Sequence, residues 1–182
     1  MGLKEIFAII MAGVIANNFV MQQFLGIDAV LAGGKNACKN FRLGLIVALV
    51  MVLSTAATWA VNAFVLADAA YLQLFAFVLV TLVITALVQT VFKKCGATLG
   101  AGFGLIAVNA TVLGACLLTA AEGFLTAVLT ALGAGLGFAA AMAVYTALRA
   151  RVNDAAAPKA FRGLPLSLLT AGMICLALSA LK

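Results

Sequence analysis

Six apolar runs divide this sequence almost end to end, each long enough to cross lipid as a helix. They cover roughly Glu5 to Leu25, Leu43 to Leu66, Tyr71 to Phe92, Thr98 to Ala120, Phe124 to Leu148 and Leu164 to Leu181. A hydrocarbon core about 30 Å thick takes about 20 helical residues. The composition agrees: 66% of residues are hydrophobic, 9% are charged and the mean hydropathy is +1.26. A soluble domain would carry about 25% charged residues to clothe its surface, and that surface is missing. Helix is the expected conformation, because a lone strand in lipid leaves its backbone polar groups unpaired. A transmembrane barrel would need segments of about ten residues alternating polar and apolar, and no such alternation is present. Trp59 and Tyr71 are too few to form an aromatic belt. The first run is expected to be a mature helix and not a removable leader. Glu5 offsets Lys4, no small-residue cleavage site follows, and Asn17, Asn18, Gln22 and Gln23 interrupt its end.

The few charges set an orientation. The first, third and fifth connections carry Lys35, Lys39 and Arg42, then Lys93 and Lys94, then Arg149, Arg151, Lys159 and Arg162. The opposite face has Lys4 and Lys182 at the termini, and its loops hold Asp68 and Glu122 without Lys or Arg. The positive-inside rule then makes the odd connections cytoplasmic and puts both termini outside. The net charge of +6 is a topology signal. Nucleic-acid binding would need a basic patch on a water-exposed domain, and no run of the chain supplies one.

Six spans invite a search for internal symmetry. Gly13-Val14-Ile15-Ala16-Asn17-Asn18 in the first run is similar to Gly104-Leu105-Ile106-Ala107-Val108-Asn109 in the fourth, at an offset of 91 residues in a chain of 182. Three helices per half means that the halves enter the membrane from opposite sides. The expected architecture is therefore all-α, one membrane domain of six transmembrane helices built as a 3+3 inverted repeat, with halves 1–92 and 93–182. Interrupted helices at matching positions of such a repeat point to a site near the bilayer midplane. The candidate residues are Asn17, Asn18 and Asn109, amides that are costly in lipid without a partner, together with Asp28. These amides can satisfy broken backbone, offer carbonyl oxygens to a cation, or hold a neighbouring helix by plain hydrogen bonding. Gly100, Gly102 and Gly104 loosen the fourth run, and Gly100/Gly104 and Gly133/Gly137 have the small-xxx-small spacing that lets helix backbones approach. No strand precedes these glycines, so they are not nucleotide loops.

No catalytic constellation emerges. No nucleophile has a base beside it, and no two carboxylates are near each other in sequence. Asp28 is the only acid near the cytoplasmic end of the first span. The chain has no histidine, which removes imidazole ligands and histidine proton relays. Its four cysteines, 38, 95, 116 and 175, are widely spaced and form no CxxC. Cys38 and Cys95 fall in the cytoplasmic connections, where reducing conditions disfavour disulfides. Cys116 and Cys175 read as small, polarisable packing residues.

Three stretches carry a family resemblance. Ala16-Asn17-Asn18-Phe19-Val20 followed by Phe24-Leu25-Gly26-Ile27 resembles the first helix of the A subunit of the Rnf complex and of the E subunit of the sodium-translocating NADH:quinone reductase. Asn109-Ala110-Thr111-Val112-Leu113-Gly114 is similar to the family's Asn-Cys-Ala-Val-Leu-Gly segment. Phe161-Arg162-Gly163 through Leu169-Thr170-Ala171-Gly172 is similar to its last loop and sixth helix. The resemblance runs nearly end to end. It implies an integral subunit of a redox-driven complex that translocates Na+ or H+ in a bacterial or archaeal cytoplasmic (inner) membrane. It further implies a homologous sister subunit of opposite orientation, other Rnf-like partners, and flavins on partner subunits. In the family each member of the pair supplies two cysteines to an iron–sulfur cluster held between them. At those two positions this sequence has Asp28 and Ala110. Carboxylate oxygen is an unusual ligand where thiolate is the rule, and a methyl group is no ligand. The sequence therefore predicts no cluster of the family type and no cofactor bound by this chain alone.

Two other readings stay open at this point. One is a transporter or channel that reuses the inverted-repeat fold without redox chemistry. The other is a structural membrane subunit without a cofactor. A shared fold can host any of the three.

Overall fold

The segments Asn40–Phe64, Gln73–Phe92 and Phe124–Arg149 are apolar and long enough to cross a membrane, at 25, 20 and 26 residues. Helices apolar around their whole circumference belong inside lipid or a large core. The computed structural model describes residues 2–16, 18–19, 25–32, 37–64, 70–94, 109–153 and 157–179. Among these residues there is no β-strand. The helices are α1 (Leu3–Met11), α2 (Ile27–Ala32), α3 (Ala37–Phe64), α4 (Gln73–Lys94), α5 (Ala110–Leu118), α6 (Phe124–Arg149) and α7 (Leu164–Ser179). A π-helical turn at Ala12–Ala16 follows α1, and short 3-10 turns at Ala70–Leu72 and Lys159–Phe161 precede α4 and α7.

Among the described elements, α3 and α6 make the most extensive contact with each other. The pair is antiparallel. Asn40 donates to Thr146 Oγ1 at 2.7 Å, Gly44 faces Ala139 and Gly135 faces Ala48, and Trp59 Nε1 donates to the Glu122 carbonyl at 3.0 Å. Numbers rise along α3 as they fall along α6. The backbones approach so closely that a Cβ on Gly44 would lie 2.6 Å from Ala139 Cα, and one on Gly135 2.6 Å from Ala48 Cβ. Small residues permit this approach, which replaces the hydrophobic drive that lipid does not supply. Val50, Met51, Phe77 and Phe138 are fully enclosed. The outer faces remain apolar, with Leu45, Leu49 and Leu53 on α3 and Leu79, Val83 and Leu87 on α4 exposed.

The antiparallel pairing sorts the charges. The start of α3, with exposed Arg42, and the end of α6, with Arg149, lie at one end of the pair. Glu122 and Trp59 lie at the other, where Asn62 Nδ2 donates to the Ala120 carbonyl at 3.2 Å and Gln73 Nε2 to Asn62 Oδ1 at 3.3 Å. Trp59 also meets Phe124 edge-on, with ring centroids 5.1 Å apart. At the basic end Arg149 Nε donates to Ser167 Oγ at 3.0 Å, and Ser167 Oγ donates to the Gly163 carbonyl at 3.0 Å, tying α6 to the start of α7. Gly163 has φ +81 at that entry, a left-handed backbone that glycine adopts without a steric cost. Buried threonines inside helices satisfy their hydroxyls on the preceding turn, as Thr58 does on Ser54 and Thr146 on Met142.

The structure differs from the sequence-based expectation in two runs. The first run, expected as a span from Glu5 to Leu25, is α-helical over Leu3–Met11, continues as the π turn to Ala16, leaves the helix at Asn18 and has a turn at Leu25–Gly26, with residues 20–24 outside the described residues. In the fourth run, expected from Thr98 to Ala120, the described helix begins at Ala110. Asn17, Cys95, Gly100, Gly102, Gly104 and the rest of the second repeat motif up to Val108 lie outside the described residues.

Candidate functional site

The interrupted first run is seated on α6. Gly137 lies 13 residues from Phe124 and 12 from Arg149, about 19 Å from either end of the helix at 1.5 Å per residue. There the Asn18 side chain, 7% exposed, donates to the Gly137 carbonyl at 3.0 Å and to the Val14 carbonyl at 3.1 Å. A Cβ at Gly137 would sit 3.0 Å from Asn18 Nδ2 and 3.2 Å from Val14 Cα, so glycine is what admits the π turn and its amide. One turn earlier on α6, a Cβ on Gly133 would lie 2.9 Å from the Ile10 carbonyl. The Gly133/Gly137 pair thus performs the close approach that its spacing suggests. The π turn itself is the kind of helix irregularity that relocates backbone groups.

Asn109 arrives at the same level from the other half of the chain. It is the N-cap of α5, with φ −80 and ψ 120, and its Oδ1 accepts from Thr111 N at 2.9 Å. An Asn at this position satisfies one of the free amides at a helix start. Next to it runs Gly26, at φ +74. A Cβ there would collide with Thr111 Oγ1, lie 2.7 Å from Asn109 Oδ1 and 3.2 Å from Phe138 Cε2. Asn18 and Asn109 therefore reach adjacent parts of α6, one at Gly137 and the other, through Gly26, at Phe138. Two polar atoms at this seam, Asn109 Nδ2 and Thr111 Oγ1, are buried without a hydrogen-bond partner among the described residues.

The two remaining candidates point away from the core. Asp28 follows Gly26 by two residues, at most about 7 Å along the chain, and is exposed in the first turn of α2. Its neighbour Val30 is buried, so α2 presents Asp28 outward while anchoring on its inner face. Ala110, between Asn109 and Thr111, is likewise exposed although both of its neighbours are buried. Both positions are thus exposed within two residues of the Gly26–Thr111 contact.

This donor set does not fit an iron–sulfur cluster. One position offers a carboxylate and the other a methyl group, where such a cluster takes thiolates. Cys116 is no substitute. It lies six residues past Ala110, about 9 Å of helix rise, is 1% exposed, and turns its sulfur to Thr55 Oγ1 at 3.8 Å. Cys175 is buried in α7, and Cys38 is exposed at the start of α3. Among the described residues no three His, Cys, Asp or Glu side chains gather where they could hold a metal ion.

The sequence points to Asn17, Asn18, Asn109 and Asp28, of which Asn17 lies outside the described residues, but not to Gly26, Thr111 or Gly137 as their partners. Asn is a preferred N-cap residue whose side chain accepts from the backbone N–H two residues on, and that signal could have found position 111. A backbone carbonyl accepting from Asn18 has no signature in sequence.

Comparison with known proteins gives one consistent answer. Residues 6–182 match the family model described as "Rnf-Nqr subunit, membrane protein". The chain is 33% identical over 183 residues to the A subunit of the ion-translocating oxidoreductase complex of Syntrophotalea carbinolica, an alignment covering 96% of this chain and 95% of that one. It is 34% identical over 177 residues to the A subunit of the Na+-translocating ferredoxin:NAD+ oxidoreductase complex of Acetobacterium woodii, covering 93% and 92%. The A subunit of the ion-translocating oxidoreductase complex of an Azoarcus strain is 33% identical over 183 residues, covering 96% and 95%.

Proposed function

Because the chain belongs to the Rnf-Nqr family of membrane subunits, we propose that it is an integral subunit of an Rnf-like, redox-driven ion-translocating complex, in the position held by the A subunit. The observation that carries this reading is the near full-length similarity to the A subunits of ion-translocating oxidoreductase complexes, over 93–96% of the chain. The proposed architecture is six spans in two inverted halves, with the basic connections in the cytoplasm and both termini outside. The antiparallel α3/α6 pair supports that orientation, since it sets Arg42 and Arg149 at one end and Glu122 at the other. The host membrane is the cytoplasmic membrane of a bacterium or archaeon.

The midplane site is the seam at which the π turn, Gly26 and the α5 N-cap converge on Gly137 and Phe138. The face beside it, with Asp28 and Ala110 exposed, is the proposed contact with a homologous sister subunit. The midplane amides hold broken backbone inside the membrane, where no water can do so. Flavins belong to partner subunits in this reading, and no electron-transfer step is assigned to a cluster on this chain.

The donor set favours one variant of the role, in which the subunit contributes scaffold and ion path while electrons cross elsewhere. Affinity purification of the tagged chain from its native membrane tests the whole reading. Co-purification with flavin-bearing Rnf-like subunits and reductant-driven ion uptake into vesicles are the expected results. A homodimer that moves a solute without redox partners would replace it by the transporter reading.

A further inference from the structure

We propose that the groove between α6 and α7 holds an acyl chain of one anionic phospholipid, whose phosphate rests against Arg151. The groove measures about 570 Å³ and is lined by Val144, Leu148, Leu169, Met173 and Ala177, with Arg151 at its basic end. Its wall along α7 runs from Leu166 to Ala177, which is about 16 Å of helix. That is about half of a 30 Å hydrocarbon core, the depth of one leaflet. The groove therefore starts at the basic end of the molecule and stops near the bilayer centre, as a lipid tail does.

The lining separates this occupant from a partner helix. Helices pack in membranes through small residues and interhelical hydrogen bonds. Here, Ala177 apart, the apolar walls are branched or flexible side chains, with Met173 64% exposed. The hydroxyl of Thr170, the groove's polar side chain apart from Arg151, already donates to the Leu166 carbonyl at 2.7 Å. A flexible hydrocarbon chain fits such a surface, and a methionine adapts to it.

Charge supplies the headgroup. Arg149 is engaged by Ser167 and the Val152 carbonyl, and Arg162 by the Ala157 carbonyl. Arg151 stands exposed at the groove mouth among them. A guanidinium binds phosphate oxygens through paired N–H groups, and basic residues beside a membrane segment favour anionic lipid.

Native mass spectrometry of the full-length chain, purified with its accompanying subunits, tests the proposal. The probes are phosphatidylglycerol and phosphatidylcholine with identical tails. Retention of one phosphatidylglycerol per chain is expected, about fivefold over phosphatidylcholine, the ratio for one basic side chain near the surface. Arg151→Gln removes that preference, and Met173→Trp, which fills the groove from an exposed position, lowers retention of both lipids. Equal retention of the two lipids, an unaltered preference in Arg151→Gln, or cross-linking of a partner helix to position 173 overturns it.

Discussion

The side-chain amide of Asn18 donates to the backbone carbonyl of Gly137 at 3.0 Å, joining residues 119 apart at the middle of α6. Around this bond the interrupted first run gains its place in the bundle. The Asn18→Ala substitution removes it together with the bond to Val14, and the expected destabilisation is about 1 kcal/mol. Thermal unfolding of the purified protein in detergent checks this; an unchanged midpoint would show that the amide is not holding the seam.

Gly26 and Thr111 form the second half of the seam. Gly26→Ala places a methyl group on Thr111 Oγ1 at a residue with φ +74. The strained backbone costs about 1–2 kcal/mol, and the collision adds to it. Thr111→Ala in the same chain relieves that collision and leaves the backbone strain and the approach to 2.7 Å of Asn109 Oδ1. The double variant is expected to unfold at a temperature above that of Gly26→Ala but below that of Thr111→Ala.

Gly135 sits where α6 meets Ala48 of α3. A methyl group there would lie 2.6 Å from Ala48 Cβ, and overpacking of this kind costs about 1–3 kcal/mol. Gly135→Ala is expected to lower the unfolding midpoint, and Ala48→Gly to restore only part of the loss, because Ala48 Cα would still lie 2.7 Å from the added methyl group. Full additivity of the two changes would show that the residues do not share a contact.

Cys38 is exposed at the basic end of α3, whereas Cys116 and Cys175 are buried. In a Cys95→Ser background, a membrane-impermeant maleimide is expected to label Cys38 in inside-out vesicles but not in intact right-side-out ones. Labelling from the outside would invert the proposed orientation.

The legibility of the fold follows the kind of interaction that built each part. The helices α3, α4, α6 and α7 fall close to the apolar runs that predict them, because lipid solvation acts on each residue and leaves its mark in composition. The break in the first run is different. It depends on Gly133 and Gly137 of α6, over a hundred residues away, and on a carbonyl that every residue possesses. Asn109 reads in the sequence as an amide inside a span, whereas it caps the start of α5. One residue type serves both purposes, and only the backbone angles separate them. Asp28 and Ala110 are legible in full as identities, since a missing thiol is a fact of sequence. Their exposure beside the seam is not, because it depends on which face of α2 and α5 meets the core.

The most direct measurement is iron per complex, with low-temperature electron paramagnetic resonance, on the tagged complex purified from wild-type and Asp28→Ala cells. The account predicts co-purifying Rnf-like subunits, together with an iron content and spectrum that the substitution leaves unchanged. Loss of an iron–sulfur signal in Asp28→Ala, with the complex still assembled, would contradict it by showing a cluster ligated through this chain.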